Sequence, residues 1–145
     1  MKPDIWGKHL WYSIHFIALA FPDDPTNEEK RNYQSFFENL HKVLPCHKCS
    51  LNYVEHLIEK PITFAELSNS ETLFRWTVDI HNLVNKETSK DQWTYETASA
   101  FYGNFKESVK TKKCDHMKIV KISTVVAFSL LAVIAIQMIL RKKRK

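Results

Sequence analysis

SETLFRWTVDIHNLVN, residues 70–85, decides the fold class. Leu73, Thr77, Ile80 and Val84 recur in it at three- and four-residue spacing, which is the buried stripe of an amphipathic helix. Ser70 is placed to cap that helix. His81, Asn82 and Asn85 interrupt its apolar character, and polar side chains beside Ile80 and Val84 are costly to bury without partners.

The same period extends outward in both directions. Helix one spans about Pro3 to Ala20, with Gly7, Trp11, Ile14, His15 and Ala18 on one stripe. After the Pro22–Pro25 break, Thr26 caps helix two, which carries Tyr33, Phe36, Phe37, Leu40 and Leu44. Pro45 ends it and leaves Cys46-His47-Lys48-Cys49 at the start of helix three, which continues through Leu51, Val54, Leu57 and Ile58 to Lys60-Pro61. A polar hinge, Lys86 to Asp91, precedes a shorter fifth helix near Tyr95–Phe105. Strand signals are weak throughout, so the expectation is an all-α four-helix bundle with a short fifth helix.

The net charge of +5 divides unevenly. Residues 1–109 hold eleven Lys/Arg against fifteen Asp/Glu, whereas residues 110–145 hold ten Lys/Arg and one Asp. The folded part is mildly acidic, which excludes a nucleic-acid partner. Residues 122–140, ISTVVAFSLLAVIAIQMIL, carry no charge and would reach about 28 Å as a helix, the depth of a bilayer core. Basic flanks at residues 110–121 and 141–145 suit lipid headgroups. The expected organisation is a domain at 1–109, a basic linker at 110–121, a transmembrane helix at 122–140 and a basic tail at 141–145. No signal peptide opens the chain, so it is expected to be anchored by its C-terminal span with the domain in the cytosol. Structural disulfides are rare there, which directs Cys46 and Cys49 toward catalysis or metal binding.

A CxxC pair at a helix start suits redox exchange, because the helix N-terminus lowers the thiol pKa. A zinc site requires four ligands, usually from two such pairs. Gly7 and Gly103 are the only glycines, so neither a dinucleotide-binding loop nor a P-loop exists. A cofactor for the thiols must therefore sit between helices. Trp11 and His15 share a face of helix one, His81 and Asn85 share a face of helix four, and Lys86, Lys90 and Trp93 follow. Aromatics, amides and cations so placed suit a planar cofactor with a pyrophosphate. Taken singly, Trp11 also suits a packed core and the lysines a solvated face.

WGKHLWYSIH at 6–15, LPCHKC at 44–49 and HNLVNK at 81–86 resemble, in order and internal spacing, the Erv/ALR family of FAD-linked sulfhydryl oxidases. The resemblance covers nearly all of residues 5–105. It implies a helical flavoenzyme, usually a homodimer, that makes disulfides in dithiol proteins, thioredoxin-like or virion proteins among them, and passes electrons to O₂ as H₂O₂. It also implies Cys49 next to the flavin ring and Cys46 as the thiol attacked by substrate. FAD contacts are implied at Gly7, Lys8, Trp11, His15, Tyr53, His81, Asn82, Val84, Asn85, Lys86, Lys90 and Trp93, with no metal. Cellular members carry further cysteine pairs, whereas here only Cys114 remains. That reduced set resembles the compact enzymes of large DNA viruses, which would put the anchor in a host-cell or virion membrane. Cys114, among lysines before the apolar run, is expected to be inert or acylated. The alternative reading is a tail-anchored metal-binding or scaffold bundle in which Cys46 and Cys49 join histidines such as His41 or His47.

Overall fold

A computed structural model describes the backbone of residues 1–110 and the side chains of residues 1–103. The expected linker and span, the basic tail and Cys114 lie outside the described residues. Five α-helices, α1 (Pro3–Leu19), α2 (Asn27–Asn39), α3 (His47–Glu59), α4 (Ser70–Glu87) and α5 (Tyr95–Lys110), and a 3₁₀ turn at Leu40–Val43 make up the regular structure described. No strand occurs among these residues, and no helix among them is long and apolar enough to cross a membrane. Met1–Glu107 forms one compact unit.

Local chemistry sets the boundaries. Pro3 opens α1 with Asp4 in its first turn, where a proline lacks no needed N–H and an anion meets the positive end of the helix dipole. Thr26 caps α2 as expected: its hydroxyl accepts from the Glu29 N–H at 3.2 Å, while Glu29 accepts from the Thr26 N–H at 2.8 Å. Those bonds to the carboxylate hold Glu29 below its ordinary pKa. Helix two is shorter than its apolar run, because the chain tightens into the 3₁₀ turn before Leu44 becomes extended ahead of Pro45.

Three expectations are corrected. Asn69, rather than Ser70, caps α4, accepting from the Thr72 N–H at 2.9 Å. The Ser70 hydroxyl instead donates to Asp23 at 2.6 Å and ties the α1–α2 connection to α4. The fifth helix is not short, since α5 runs to Lys110. On α3 only half of the apolar stripe is covered, Val54 and Leu57 being half-buried. Leu51 is 53% exposed and Ile58 77% exposed, while Tyr53 and His56 face inward. Both rings bring apolar bulk and a hydrogen bond, Tyr53 by donating to the Phe37 carbonyl at 3.1 Å and His56 by pairing Nε2 with Glu87 at 2.9 Å, while His56 Nδ1 is buried without a partner among the described residues.

One core joins all five helices. It contains Ile14 and Ala18 of α1, Phe37 of α2, Tyr53 of α3, Leu73, Phe74, Trp76, Val78 and Ile80 of α4, and Ala98 and Tyr102 of α5. α4 is its axis, packing against α1 and α3. The Trp76 indole N–H donates to the Lys60 carbonyl at 3.0 Å, which fixes the end of α3 against it. Residues of α1, α3, α4 and α5 also line a cavity.

Candidate functional site

That cavity has a volume of about 1100 Å³, at the upper end of ligand clefts, roughly 300–1,000 Å³. Its mouth carries Cys46 and Cys49, joined in a disulfide with Cα atoms 5.2 Å apart. Cys46 is the N-cap of α3, and its sulfur accepts from the Cys49 N–H at 3.2 Å. Both cysteines are half-buried. A thiol at a helix start is stabilised as thiolate by unpaired N–H groups and the helix dipole, so the pair suits disulfide exchange.

Flat rings wall the same cavity. Trp11 of α1 stacks on His81 of α4 with centroids 4.0 Å apart and planes 9° apart, and Trp93 lies near parallel to His81 at 6.5 Å. Trp93 is placed by Asn82, whose side-chain amide donates to the Trp93 carbonyl and whose oxygen accepts from the Trp93 N–H, both at 2.8 Å. The turn between them follows from the end of α4. Ser89 adopts a left-handed φ of 52°. Lys90 N–H then reaches the Asn85 carbonyl at 2.8 Å and Ser89 N–H the Lys86 carbonyl at 3.3 Å, a Schellman closure with serine where glycine is usual.

Behind the wall lies a buried polar line. His15 Nδ1 is 2.9 Å from the Thr77 hydroxyl, and His15 Nε2 is 3.0 Å from His81 Nδ1. Burial, with His81 nearby, lowers the His15 pKa to about 3. Burial, with the Lys90 cation nearby, lowers that of His81 to about 4. Both rings are therefore neutral near pH 7. Tyr53 lines the cavity from α3, and burial raises its phenol well above the ordinary value.

The cavity brings together Cys46, Cys49, Gly7, Lys8, Trp11, Tyr53, His81, Val84, Asn85, Lys90 and Trp93 of the residues singled out by sequence. It does not bring in His15, which is 1% exposed and stands behind His81. Nor does it bring in Asn82 and Lys86, which line a separate cleft of 260 Å³ with Lys60 and Asp79. Asn85 is 4% exposed, lines the cavity and has no side-chain hydrogen bond among the described residues. The Trp6 indole N–H is likewise buried and unpartnered at the cavity. Both groups are available to hydrogen-bond a molecule bound in the cavity.

Sequence reasoning missed Trp6, Tyr12, Asn52, Glu87 and Tyr102 in the lining. Asn52 donates to Glu87 at 2.7 Å, and the other Glu87 oxygen holds His56. Trp6 has a sequence signal, since it lies within the first motif. Asn52 and Glu87 have none, because their pairing joins α3 to the end of α4. No group of three or more His, Cys, Asp or Glu among the described residues could hold a metal ion, so Cys46 and Cys49 have no third ligand there.

Comparison with known proteins agrees with this geometry. A sequence profile described as the Erv1/Alr family matches residues 8–110. A probable FAD-linked sulfhydryl oxidase, R368, of Acanthamoeba polyphaga mimivirus is 46% identical over 98 residues, 68% of each chain. An FAD-linked sulfhydryl oxidase of African swine fever virus is 35% identical over 85 residues, 59% of this chain and 69% of that one. The FAD-linked sulfhydryl oxidase ERV1 of Arabidopsis thaliana is 28% identical over 114 residues, but the match spans only 56% of its length. The fold matches the FAD-binding domain of Erv1 from Saccharomyces cerevisiae with a TM-score of 0.66 at 23% identity, covering 72% of this chain and 96% of that one. The motifs, the helical fold and the match over residues 8–110 together establish that this chain belongs to the Erv1/Alr family.

Proposed function

We propose that this chain is an FAD-dependent sulfhydryl oxidase that forms disulfide bonds in dithiol proteins through Cys46 and Cys49. The observation that carries the reading is the opening of the cysteine pair onto a large cavity walled by Trp11, His81 and Trp93. The residues present fit FAD. Flat rings suit adenine or isoalloxazine faces, Lys8 and Lys90 bring the charge a pyrophosphate requires, and the Asn85 amide and Trp6 N–H suit polar ring edges. FAD held there would supply a two-electron acceptor for the thiol pair, with O₂ as the final acceptor and H₂O₂ as the product.

The protein's own part is thiol exchange and positioning. A substrate thiolate attacks the Cys46 sulfur, the Cys46–Cys49 bond breaks, and Cys49 leaves as a thiolate. A second substrate thiolate then displaces Cys46, so the substrate departs as a disulfide and two electrons remain on the Cys46 and Cys49 sulfurs. Gly7, Lys8, Trp11, Tyr53, His81, Val84, Asn85, Lys90 and Trp93 are assigned to hold the cofactor. His15 and Asn82 support that wall from behind, and Lys86 is assigned to its periphery.

The reading includes a membrane anchor at residues 122–140, supported by the uncharged run and its basic flanks, with the catalytic unit at 1–109 on the cytosolic side of a host-cell or virion membrane. Protease protection of intact membranes tests that side. It also includes a homodimer, supported by Leu51 and Ile58, exposed on one face of α3.

The purified chain is expected to be yellow and to consume O₂ when given a dithiol. A folded, colourless chain that consumes none contradicts the reading.

A further inference from the structure

Thr77, His15 and His81 form a buried line from α4 to α1 and back. The Thr77 hydroxyl oxygen lies 2.7 Å from the Phe74 carbonyl oxygen and 2.9 Å from His15 Nδ1. His15 Nε2 lies 3.0 Å from His81 Nδ1. Two oxygens that close require a proton between them, and a carbonyl carries none, so the hydroxyl proton points to Phe74. Thr77 is then an acceptor toward His15, and His15 Nδ1 must carry the proton. A neutral imidazole has a single N–H, so His15 Nε2 is bare and accepts. His81 Nδ1 must then carry the proton of the second ring. The reversed order keeps two of these three bonds and sets the Thr77 oxygen against the Phe74 oxygen with nothing between them. Burial holds both rings neutral, as the order requires.

The geometry points to a tautomer relay in which Thr77, acting through His15, makes His81 offer a bare Nε2 to the cavity, so that the bound ligand must meet it with an N–H or O–H donor. His81 lines the cavity, and its Nε2 has no hydrogen-bond partner among the described residues. Thr77 is fully buried, does not line the cavity and is a positioning residue. The ligand half of this inference rests on the FAD reading, since FAD has donors on its adenine amino group, its hydroxyls and its flavin imide. The proton order on the two rings does not rest on it.

Long-range proton–nitrogen spectra of the full-length, FAD-loaded chain reveal which nitrogen of each imidazole carries the proton. The expected result is Nδ1–H on both His15 and His81. Thr77→Val keeps the side-chain volume but removes the acceptor. The His15 proton then moves to Nε2, where His81 Nδ1 can accept it, and His81 is driven to Nε2–H. The cavity edge changes from acceptor to donor, and FAD affinity falls about 10- to 100-fold, the effect of one mismatched buried hydrogen bond. Thr77→Ser keeps the hydroxyl and retains both tautomers and the affinity.

Nε2–H on His81 in the unmodified chain overturns the relay, and so do unchanged tautomers in Thr77→Val. If Thr77→Val does not fold, the spectrum of the unmodified chain decides alone. A chain that binds no FAD but has both Nδ1–H rings defeats the functional reading and supports the proton order. A yellow chain with Nε2–H on His81 does the reverse.

Discussion

The cysteine end of α3 and the His81 and Asn85 end of the polar row of α4 face one cavity and are built in opposite ways. Cys46 and Cys49 are half-buried, and a single N–H···S bond at the helix start organises them. Thr77, His81 and Asn85 recur every fourth residue on α4, and the first two are tied through His15 into hydrogen bonds behind the wall. The difference teaches a division of labour. Chemistry on another protein requires an accessible sulfur, whereas holding a large cofactor requires walls fixed by their own packing and second layer of hydrogen bonds. Changes to the polar row of α4 should therefore move stability and cofactor content together, and changes to Cys46 and Cys49 should move turnover alone.

The largest stability effect is expected at His15. His15→Ala opens a cavity in the core and strips a hydrogen-bond partner from both Thr77 and His81, so it should cost about 3 kcal/mol in denaturant unfolding and release FAD. Retained stability and flavin would break the comparison, because the α4 row would then not depend on its anchor.

The second effect is a pH dependence. The folded pKa values of His15 and His81, about 3 and about 4, lie below the ordinary 6.5. The unfolded chain takes up these protons as pH falls through 6.5, and the folded chain does not until pH approaches 4 and then 3. Their contribution is therefore complete above pH 6.5 and is lost as pH falls from there, at roughly 1 kcal/mol per pH unit for each imidazole. Unfolding free energies measured between pH 7 and 4 check this. A flat curve would mean that the rings are solvated, and the contrast with the cysteine end would disappear.

The smallest effect sharpens the boundary of the rigid side. Ser89 holds a left-handed conformation in the Schellman closure of α4. Ser89→Gly relieves that strain, offset by the greater entropy of glycine in the unfolded chain, and should stabilise by on the order of 0.5 kcal/mol. Thermal unfolding should move upward with flavin content unchanged.

Much of this was legible in the sequence, for reasons local to it. The Thr26–Glu29 cap depends on residues three apart, and the Ile14–His15–Ala18 stripe on helical period alone. The CxxC at a helix start follows from Pro45. What was not legible depends on partners distant in the chain. Ser70 is as good a capping residue as Asn69 until Asp23 takes its hydroxyl. The apolar residues of α3 suggest burial of Leu51 and Ile58, but hydrogen bonds to the Phe37 carbonyl and to Glu87 let Tyr53 and His56 turn inward instead. Asn82 and Asn85 look alike in sequence. The first holds the Trp93 backbone and the second opens on the cavity, a distinction set by the turn after α4.

The central claim is that the cysteine pair delivers electrons to a flavin held by a separate, rigid wall. It is tested most directly by the visible spectrum of the full-length chain mixed with excess dithiol in the absence of oxygen, beside Cys49→Ser. The expected result is a yellow protein whose flavin absorbance bleaches within turnover time, and a Cys49→Ser protein equally yellow that bleaches at least about 10³-fold more slowly. Equal bleaching of the two proteins, or a folded chain with no flavin absorbance, would contradict the account.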